Sequence, residues 1–509
     1  MADVIKFIFP KIPKLISTTL DHYNNGPPKP SWNLKFHMAF VAIKLSIDDL
    51  YYSTVEEAQE LCNKPVAISP DFAVDQVRIS NKYRKNAQQY IDNLLKEYDH
   101  LIDDEWNKLD NLEELDAEWI YVKENGFMQK QDKRIILYLH GGAYIMCSVG
   151  SYRNITSGIA KAADAHVFAI NYRLVPQNQF PAALHDALTA YLYLTNPPED
   201  AGFSAINPKQ IVIMGDSAGG GLTIATLLAL RDSGLPIVAG AVGWSPWVDL
   251  THSMPSILNK ECDKSDYLPP MTFQFLPSQA QYRFLEKSAA LSEKIKHSNK
   301  PRTWHKSLDR KDRIHQYAAN EALPILYISP LCAVSLGGLP PILLTAGDGE
   351  RLRDEIIYFA FKASQPSKYL LPIYNAGKFE ISSFKTPTNV TLEIYEDMPH
   401  VFQKFGFNES AQFSLQRTAE FIHKAIASAS EKSTSKISNS SNYARISANK
   451  QVSPLKESDY SVLEWQNVGI SPTVKIPIKT FMKTPNKVKT RPLIIVYILA
   501  ILAVIEFLF

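Results

Sequence analysis

Ser217 has the surroundings that a catalytic serine needs. It lies between two glycines in the sequence Gly215-Asp216-Ser217-Ala218-Gly219, which follows an apolar run from residue 211 and precedes an Ala/Leu-rich stretch at 222–230. This pattern predicts a strand, a sharp turn and a helix, with the serine hydroxyl exposed at the end of a sheet. A Cβ in place of either glycine would clash in so tight a bend. The same short pattern also occurs in ordinary turns, so Ser217 is predicted as the nucleophile only together with its partners.

A nucleophilic serine needs hydrogen-bond donors for the oxyanion that its attack creates. His140-Gly141-Gly142 directly follows an apolar run at 135–139, which is predicted to be the first core strand. The two glycines let consecutive backbone N–H groups turn into the site. Gly141, Gly142 and Ala218 are therefore the predicted oxyanion donors.

The general base is predicted to follow the last strand of such a sheet. His400 lies in the loop after an apolar run at 391–395, and this position selects it from the 12 histidines. Four carboxylates follow the strand at 342–345, namely Asp348, Glu350, Asp354 and Glu355. The last two are expected to begin a helix, where negative charge is favourable. Asp348 and Glu350 remain as candidates for the acid that orients the histidine, and Asp216 is expected only to form hydrogen bonds in the turn.

Apolar runs alternate with amphipathic stretches through the middle of the chain. Strands are predicted at 135–139, 166–171, 211–216, 237–242, 342–345 and 391–395, and helices at 152–163, 182–194, 222–230, 353–363 and 411–427. Strands that are apolar throughout are typical of a parallel sheet covered by helices on both faces. The predicted class is α/β, with the site at the carboxyl ends of the strands.

Composition divides the chain into four regions. Residues 1–115 are predicted to form a helical cap or support region outside the main sheet, and 116–428 the α/β core. The core carries a cap insertion at about 251–322 and a second insertion at 364–387. The Ser-, Asn- and Lys-rich stretch 429–491 is predicted to be a disordered basic linker. The apolar stretch 492–509 is predicted to be a transmembrane tail anchor.

The tail suggests a membrane location. Its 18 residues hold one charge, Glu506, and follow a basic segment without acidic residues after Glu464. At about 1.5 Å per residue, a helix of this length spans roughly 27 Å, enough for a thin bilayer such as the endoplasmic reticulum. Basic residues remain on the cytosolic side, so the catalytic domain is expected to face the cytosol. No signal peptide is predicted at the N-terminus, because residues 1–15 lack a sustained apolar segment.

Charge and cysteine content exclude several classes of function. The net charge is +2, from 54 basic and 52 acidic residues, which gives no reason to expect a nucleic-acid partner. The four cysteines lack the spacing of metal ligands and are too few for a disulfide framework, as in a protein of a reducing compartment. No cofactor and no metal is predicted, and the oligomeric state is left open.

Several motifs together resemble the hormone-sensitive-lipase-like family of α/β-hydrolases, and most nearly its fungal members such as steryl acetyl hydrolases. The matching segments are His140-Gly141-Gly142, Asn171-Tyr172-Arg173-Leu174, Gly215-Asp216-Ser217-Ala218-Gly219-Gly220, Ser245-Pro246-Trp247, Leu352-Arg353-Asp354-Glu355 and Met398-Pro399-His400. They cover about residues 130–425. In that family the acid stands two residues before the leucine of the Leu-Arg-Asp-Glu segment. The resemblance therefore favours Glu350 over Asp348, although aspartate is commoner there.

The resemblance implies a serine carboxylesterase. Its substrate would be a short-acyl or lipophilic ester, possibly an acetylated sterol, and the reaction would pass through an acyl-enzyme. Two alternatives remain open from the sequence. One is a non-catalytic ligand-binding protein of the same fold, and the other is an acyltransferase that uses the same three residues.

Overall fold

The computed structural model describes residues 11–109, 112–128, 134–269, 275–300, 315–369, 384–430 and 441–460. Ten strands form one sheet: β1 (Phe72–Ile79), β2 (Leu115–Val122), β3 (Ile135–Leu139), β4 (His166–Ile170), β5 (Ile211–Asp216), β6 (Gly240–Trp244), β7 (Ile342–Gly347), β8 (Val390–Tyr395), β9 (Asn442–Ile446) and β10 (Val452–Pro454). Their order across the sheet is β1-β2-β4-β3-β5-β6-β7-β8-β9-β10.

The helices precede, separate and follow these strands. They are α1 (Ile12–Asn25), α2 (Leu34–Asp49), α3 (Val55–Cys62), α4 (Asn81–Leu95), α5 (Arg153–Ala162), α6 (Ala182–Thr195), α7 (Ser217–Asp232), α8 (Cys262–Ser265), α9 (Gln279–Lys296), α10 (Arg353–Ser364) and α11 (Glu409–Ala429). Short 3-10 turns join several of them. The predicted core helices are all present, and their ends lie within a few residues of the predicted positions except for α7, which begins at Ser217.

The middle of the sheet is parallel, as predicted. All neighbouring strands from β4 through β3, β5, β6, β7 and β8 to β9 pair in parallel. At one end of the sheet β2 pairs antiparallel with β4 and β1 with β2, and at the other end β10 pairs antiparallel with β9. The register pairs Leu139 with Gly215, Gly215 with Gly243 and Gly347 with Tyr395. The strands that carry the predicted site therefore end at the same edge of the sheet.

Alternation along the strands separates two apolar layers. In β3, Ile135, Leu137 and Leu139 pack into one hydrophobic cluster, whereas Ile136 and Tyr138 pack into another. Successive strand side chains point to opposite faces, so each face receives every second residue. Helices α6, α7 and α10 cover the first face, and α5 and α11 cover the second. Both faces are buried, which explains why the strand sequences are apolar throughout.

The prediction that residues 1–115 lie outside the main sheet is wrong in one part. β1 pairs antiparallel with β2 along its whole length and forms an edge of the sheet. Its outward side chains include Asp75, Gln76 and Arg78, which are common on edge strands because charge discourages pairing with other chains. These polar residues concealed the strand pattern. The rest of the described part of this region is mainly helical, as expected, with α4 ending at Leu95.

The prediction of a disordered linker at 429–491 also needs correction. α11 continues to Ala429, and β9 adds to the sheet in parallel with β8, followed by the short strand β10. Ala444 and Ile446 are buried and supply the packing that holds β9. Two apolar residues in a stretch rich in serine and asparagine are too weak a signal for a strand prediction. Residues 431–440 and 461–491 lie outside the described residues.

The predicted tail anchor, 492–509, also lies outside the described residues. Within the described ranges, no helix combines the length and the apolar character that a bilayer crossing requires. The predicted cap insertion contains α8 and α9, and α9 buries Phe284, Leu291 and Ile295. Residues 270–274 and 301–314 of this insertion lie outside the described residues.

Candidate active site

Ser217 lies at the sharp turn between β5 and α7. Its φ of +53° is in the left-handed region, which a residue with a side chain rarely adopts. A Cβ on Gly215 would overlap the carbonyl of Gly219, and a Cβ on Gly219 would overlap the carbonyl of Leu139. The steric need for both glycines is therefore confirmed. The turn raises the serine hydroxyl at the carboxyl edge of the sheet.

His400 follows β8 and faces Ser217. Its Nε2 lies 2.9 Å from Ser217 Oγ, the distance of a hydrogen bond. The backbone N–H of His400 lies 3.4 Å from Asp266 Oδ1, and the Tyr267 ring packs edge-on against the imidazole at 5.8 Å. The next backbone N–H, that of Val401, donates to Ser245 Oγ at 3.0 Å. The histidine loop is thus held by Ser217, by the adjacent pair Asp266 and Tyr267, and by Ser245, which belong to three separate segments of the chain.

Glu350 lies on the other side of the imidazole. Its Oε1 is 3.5 Å from His400 Nδ1, and its Oε2 accepts hydrogen bonds from Ser245 Oγ at 2.7 Å and from the Gly347 N–H at 2.8 Å. The carboxyl is fully buried, and burial raises its pKa, while its contacts with His400 and Ser245 act in the opposite direction. An ionised carboxylate in this position orients the imidazole and stabilises its protonated form.

Asp348, the other candidate acid, has different partners. Its Oδ1 accepts the Asp397 N–H at 2.8 Å, and its Oδ2 accepts Arg445 Nη2 of β9 at 2.9 Å. Lys29 Nζ lies 3.7 Å from Oδ1. The structure therefore brings Glu350, and not Asp348, beside His400. Asp348 instead connects the β7 loop to the β8 loop, to the N-terminal region and to β9.

Asp216 is buried beneath the nucleophile and has several donors. Its Oδ1 accepts the Tyr138 hydroxyl at 2.8 Å and the Gly141 N–H at 3.0 Å, and its Oδ2 accepts the Tyr152 hydroxyl at 2.9 Å. The hydrogen-bonding role predicted for Asp216 is confirmed, and it extends to the loop after β3. A carboxylate without solvent must gather donors, because an unpaired buried charge is costly.

This arrangement changes the prediction for the oxyanion donors. The Gly141 N–H is occupied by Asp216, so Gly141 does not offer it to a substrate. Among the described residues, neither the Gly142 N–H nor the Ala218 N–H has an acceptor. Gly142 has a φ of +118°, and a Cβ there would overlap the Met146 carbonyl. The sequence showed two glycines but not the acceptor that takes one of their N–H groups.

A small cavity of about 70 Å³ opens beside Ser217. Its walls are mainly apolar, with Ile145, Val175, Ile257 and Leu268 among them, and Trp247 and Tyr317 add aromatic surface. Two histidines also line it. The ring centroids of His252 and His315 are 4.6 Å apart, and His315 Nε2 lies 2.8 Å from the Leu250 carbonyl oxygen.

Burial keeps both cavity histidines neutral. It lowers the pKa of His252 to about 4 and lowers that of His315 well below its usual range. Neither residue was predicted from the sequence, since His252 lies beyond the Ser245-Pro246-Trp247 segment and His315 lies in the predicted cap insertion, where no motif was found. In the described ranges, no group of three or more His, Cys, Asp or Glu side chains is suited to a metal ion.

The roles of Ser245, Asp266 and Tyr267 were also not predicted from the sequence, although Ser245 begins one of the segments that resemble the family. Ser245 directly follows β6, and a polar residue at the carboxyl end of a core strand is a signal that could have found it. Asp266 accepts the Arg351 N–H at 2.7 Å and lies in the cap insertion. No local pattern there indicates contact with the histidine loop.

Comparison with known proteins agrees with this geometry. Residues 136–289 match a family described as having an α/β-hydrolase fold. An acetyl-hydrolase of Streptomyces hygroscopicus is 31% identical over 286 residues, which cover 56% of this chain and 72% of that protein. An esterase of Acinetobacter venetianus is 26% identical over 238 residues, covering 47% of this chain and 63% of that protein.

A solved structure extends the similarity to most of the chain. The crystal structure of an esterase from the bacterial hormone-sensitive lipase family matches with a TM-score of 0.50 and 25% identity. It covers 78% of this chain and 99% of that one. The family predicted from the motifs is confirmed, while the closeness to fungal members stays a prediction. The chain belongs to the hormone-sensitive-lipase-like family of α/β-hydrolases, and it is a carboxylic ester hydrolase.

Proposed function

We propose that this protein is a serine esterase that removes a short acyl group from a lipophilic alcohol, with Ser217 as nucleophile, His400 as base and Glu350 as orienting acid. The observation that carries the assignment is the 2.9 Å contact between Ser217 Oγ and His400 Nε2, with the buried Glu350 carboxyl on the far side of the imidazole. These three groups come from loops after three different strands. Their convergence satisfies the geometric requirement for nucleophilic catalysis.

The reaction follows from this geometry. His400 Nε2 takes the proton of Ser217 as Oγ attacks the ester carbonyl, and the N–H groups of Gly142 and Ala218 donate to the oxyanion. The imidazolium then gives its proton to the leaving alcohol, and an acyl-serine remains. Water, deprotonated by His400, attacks the acyl carbon, and the imidazolium then returns this proton to Ser217 Oγ as the acyl–serine bond breaks, which releases the carboxylic acid and the free serine.

The cavity supports a short acyl group. About 70 Å³ beside Ser217 leaves room for a few heavy atoms, and its apolar walls favour a methyl or short alkyl group over a charged one. An acetyl-hydrolase among the similar proteins supports the same choice. An acetylated sterol is the substrate that we propose, with the alcohol lying outside the acyl cavity.

The proposal includes a membrane location. The support is in the sequence, where an apolar stretch at 492–509 follows six basic residues at 475–491. Such a tail would anchor the enzyme in the endoplasmic reticulum membrane with the catalytic domain in the cytosol. A tethered enzyme would meet esters that are dissolved in the bilayer.

Replacement of Ser217 tests the catalytic assignment. Ser217→Ala should abolish both p-nitrophenyl acetate hydrolysis and labelling by a fluorophosphonate probe, because no other hydroxyl lies in the same position. Ser233→Ala, at the end of α7, is the matched control and should retain both. Activity that survives in a folded Ser217→Ala protein would disprove the proposal.

Two further assays separate the alternatives. A wild-type protein that binds a lipophilic ester but is not labelled by the probe would indicate a ligand-binding protein. Hydrolysis of a series of p-nitrophenyl esters and of a steryl acetate defines the substrate preference. We expect kcat/KM to be higher for acetate and butyrate esters than for esters of longer acyl chains. Formation of a new ester from an added alcohol, at the expense of free acid, would indicate an acyltransferase.

A further inference from the structure

Helix α1 exposes apolar side chains to solvent. Ile12, Ile16, Leu20 and Tyr23 are 38%, 57%, 59% and 74% exposed, respectively. Their spacing of three or four residues places them on one face of the helix. We call these four residues the apolar stripe.

The inward face of α1 has one apolar side chain, Leu15, which packs against the hydrophobic cluster of α2, and its other side chains are polar. Thr18 is buried there, Thr19 Oγ1 lies 3.5 Å from Met38 Sδ, and His22 Nδ1 lies 3.2 Å from His37 Nδ1. An amphipathic helix on the surface of a protein in water normally buries its apolar face and exposes its polar one. α1 reverses this arrangement, so its outward face is suited to an apolar environment.

Further exposed apolar residues belong to neighbouring elements. Of the eight large apolar side chains that are exposed in the described ranges, only Val452 lies outside α1, α9 and the 3-10 turn Leu50–Tyr52 that follows α2. Lys11 Nζ binds Asp49 Oδ2 at 2.6 Å, which joins the start of α1 to the end of α2, near the exposed Tyr52.

Helix α9 joins the same region through its N-terminal end. The Ala280 N–H donates to Glu56 Oε1 at 2.9 Å, and α9 exposes Tyr282. The exposed apolar residues are thus concentrated on connected elements of the N-terminal and cap regions. Four large apolar side chains exposed on one helix face, as on α1, are typical of an interaction site.

We propose that the apolar stripe docks into the surface of a lipid bilayer. Residues 1–10, which lie outside the described residues, lead directly into α1 and include Val4, Ile5, Phe7, Ile8 and Phe9. The apolar character therefore continues in sequence beyond the stripe. Lys14 is exposed beside it, and lysine with tyrosine is a common combination at the boundary between membrane and water.

The other end of the sequence favours a bilayer over a protein partner. The apolar stretch 492–509 follows six basic residues and is itself suited to a membrane. Two separate membrane contacts bind more firmly than either alone, because the second forms at high local concentration. The stripe would then fix the orientation of a domain that the tail alone only tethers.

Docking would bring the catalytic loop close to the membrane. α1 packs on α2, and Phe40 of α2 lies 6.4 Å from the Tyr267 ring, which packs against His400. The Trp32 indole also donates to the Asp397 carbonyl at 2.6 Å in the histidine loop. Packed helices lie about 10 Å apart, so the layers formed by α1 and α2 would together place His400 roughly 20 Å from the bilayer surface. The docking itself does not depend on the proposed esterase function. Its expected effect on the hydrolysis of a bilayer-dissolved ester does rest on that function.

A position-specific label tests the docking in the full chain. Leu20→Cys and the control Val452→Cys each receive an environment-sensitive fluorophore and are mixed with vesicles of phosphatidylcholine and phosphatidylinositol. The native cysteines are buried or partly buried, and a labelled wild-type sample gives their background. The Leu20 label should shift to the blue and be quenched by brominated lipids, whereas the Val452 label should do neither.

Other outcomes overturn the proposal. A Leu20 label that stays in water while the protein binds vesicles would show that the stripe takes no part. A label that is already shielded in the absence of vesicles would also overturn the proposal. Shielding that depends on protein concentration would indicate a second copy of this chain, and shielding independent of concentration would indicate the chain's own residues 492–509.

A kinetic test separates docking from catalysis. The double variant Ile16→Ser, Leu20→Ser should hydrolyse a vesicle-dissolved ester about tenfold more slowly, since two aliphatic contacts with lipid are lost. Its rate on water-soluble p-nitrophenyl acetate should equal that of wild type, as should both rates of the control Val452→Ser. Equal rates of the double variant and wild type on vesicles would overturn the proposal. If wild type fails on p-nitrophenyl acetate, the proposed function fails instead.

Discussion

The turn that carries Ser217 and the loop that carries Glu350 differ in what determines their shape. The turn is fixed by its own backbone and by the adjacent strand, because the Gly215 and Gly219 positions have no room for a Cβ. The loop is held by distant residues, including Ser245, Asp266 and Arg445, which lie directly after β6, in the cap insertion and on β9, respectively.

This difference decides which roles can be predicted from local sequence. A steric requirement appears as glycine at fixed positions, so it is visible in five residues. The choice between two carboxylates depends on which one meets the imidazole and which one meets Arg445 and Lys29. Substitutions on the two sides should therefore fail in different ways.

The largest effect is expected in the nucleophile turn. Gly219→Ala would place a methyl group against the Leu139 and His140 carbonyls, and we expect it to lower the free energy of unfolding by about 3 kcal/mol. Gly158→Ala in α5 is the matched control, since its Cβ would approach no atom closer than 3.9 Å. The control should gain about 0.5–1 kcal/mol from helix propensity. Equal stability of the two variants in urea denaturation would refute the steric account.

The next effect separates the two carboxylates of the acid loop. Glu350→Gln should leave the protein folded and reduce kcat/KM by roughly a thousandfold or more, as loss of the orienting acid does in serine hydrolases. Asp348→Asn should keep kcat/KM within about tenfold of wild type, since its contacts with Arg445 and Lys29 are structural and partly exposed. Steady-state kinetics on p-nitrophenyl acetate give both values. A reversed order would make Asp348 the acid.

The smallest effect concerns the pH profile. The Ser245 hydroxyl donates to the ionised form of Glu350 and thereby lowers the pKa of a carboxyl that burial raises. Ser245→Ala removes this donor, so the pKa of Glu350 should rise and the acidic limb of kcat/KM should move to higher pH. At the acidic end of the profile, kcat/KM of Ser245→Ala should be about tenfold below that of wild type, which corresponds to the energy of one hydrogen bond to a charged group. The difference should shrink as the pH rises.

A neighbouring serine provides the control for that profile. Ser253→Ala loses a bond to Asp249 and makes no contact with Glu350, so its acidic limb should coincide with that of wild type. If Ser245→Ala lowers kcat/KM equally at every pH, the serine acts only through packing, and its effect on the ionisation of Glu350 is disproved.

Much of the core could be predicted from the sequence. Alternating apolar runs located the strands on both sides of Ser217, and β3 has the predicted limits. The prediction for the strand at 237–242 was displaced, because its ladder with β5 begins only where Gly240 pairs with Val212. Ser217 and His400 were found because both lie where parallel strands end, and the structure brings them into contact.

The remainder depended on contacts between distant segments. Only the resemblance favoured Glu350, and the structure adds the reason that Asp348 is already engaged with β9. The sequence also predicted that the Gly141 N–H would donate to the oxyanion. In the structure it donates to Asp216, and no local sequence pattern indicates this contact. β1 was missed because Asp75, Gln76 and Arg78 interrupt its alternation of apolar and polar residues, and β9 because its few apolar residues follow a stretch rich in serine and asparagine.

The strands at the end of the described chain have a consequence for solubility. If the parallel sheet ended at β8, the exposed edge of that strand would carry a row of unpaired N–H and C=O groups, flanked by apolar side chains. Such an edge is a template for aggregation. β9 occupies that row, and β10 beyond it is only three residues long and ends in Pro454, which has no N–H to donate. The segment thus closes the sheet against pairing with other molecules, so a truncation before residue 442 would expose an adhesive edge even if the catalytic residues remained intact.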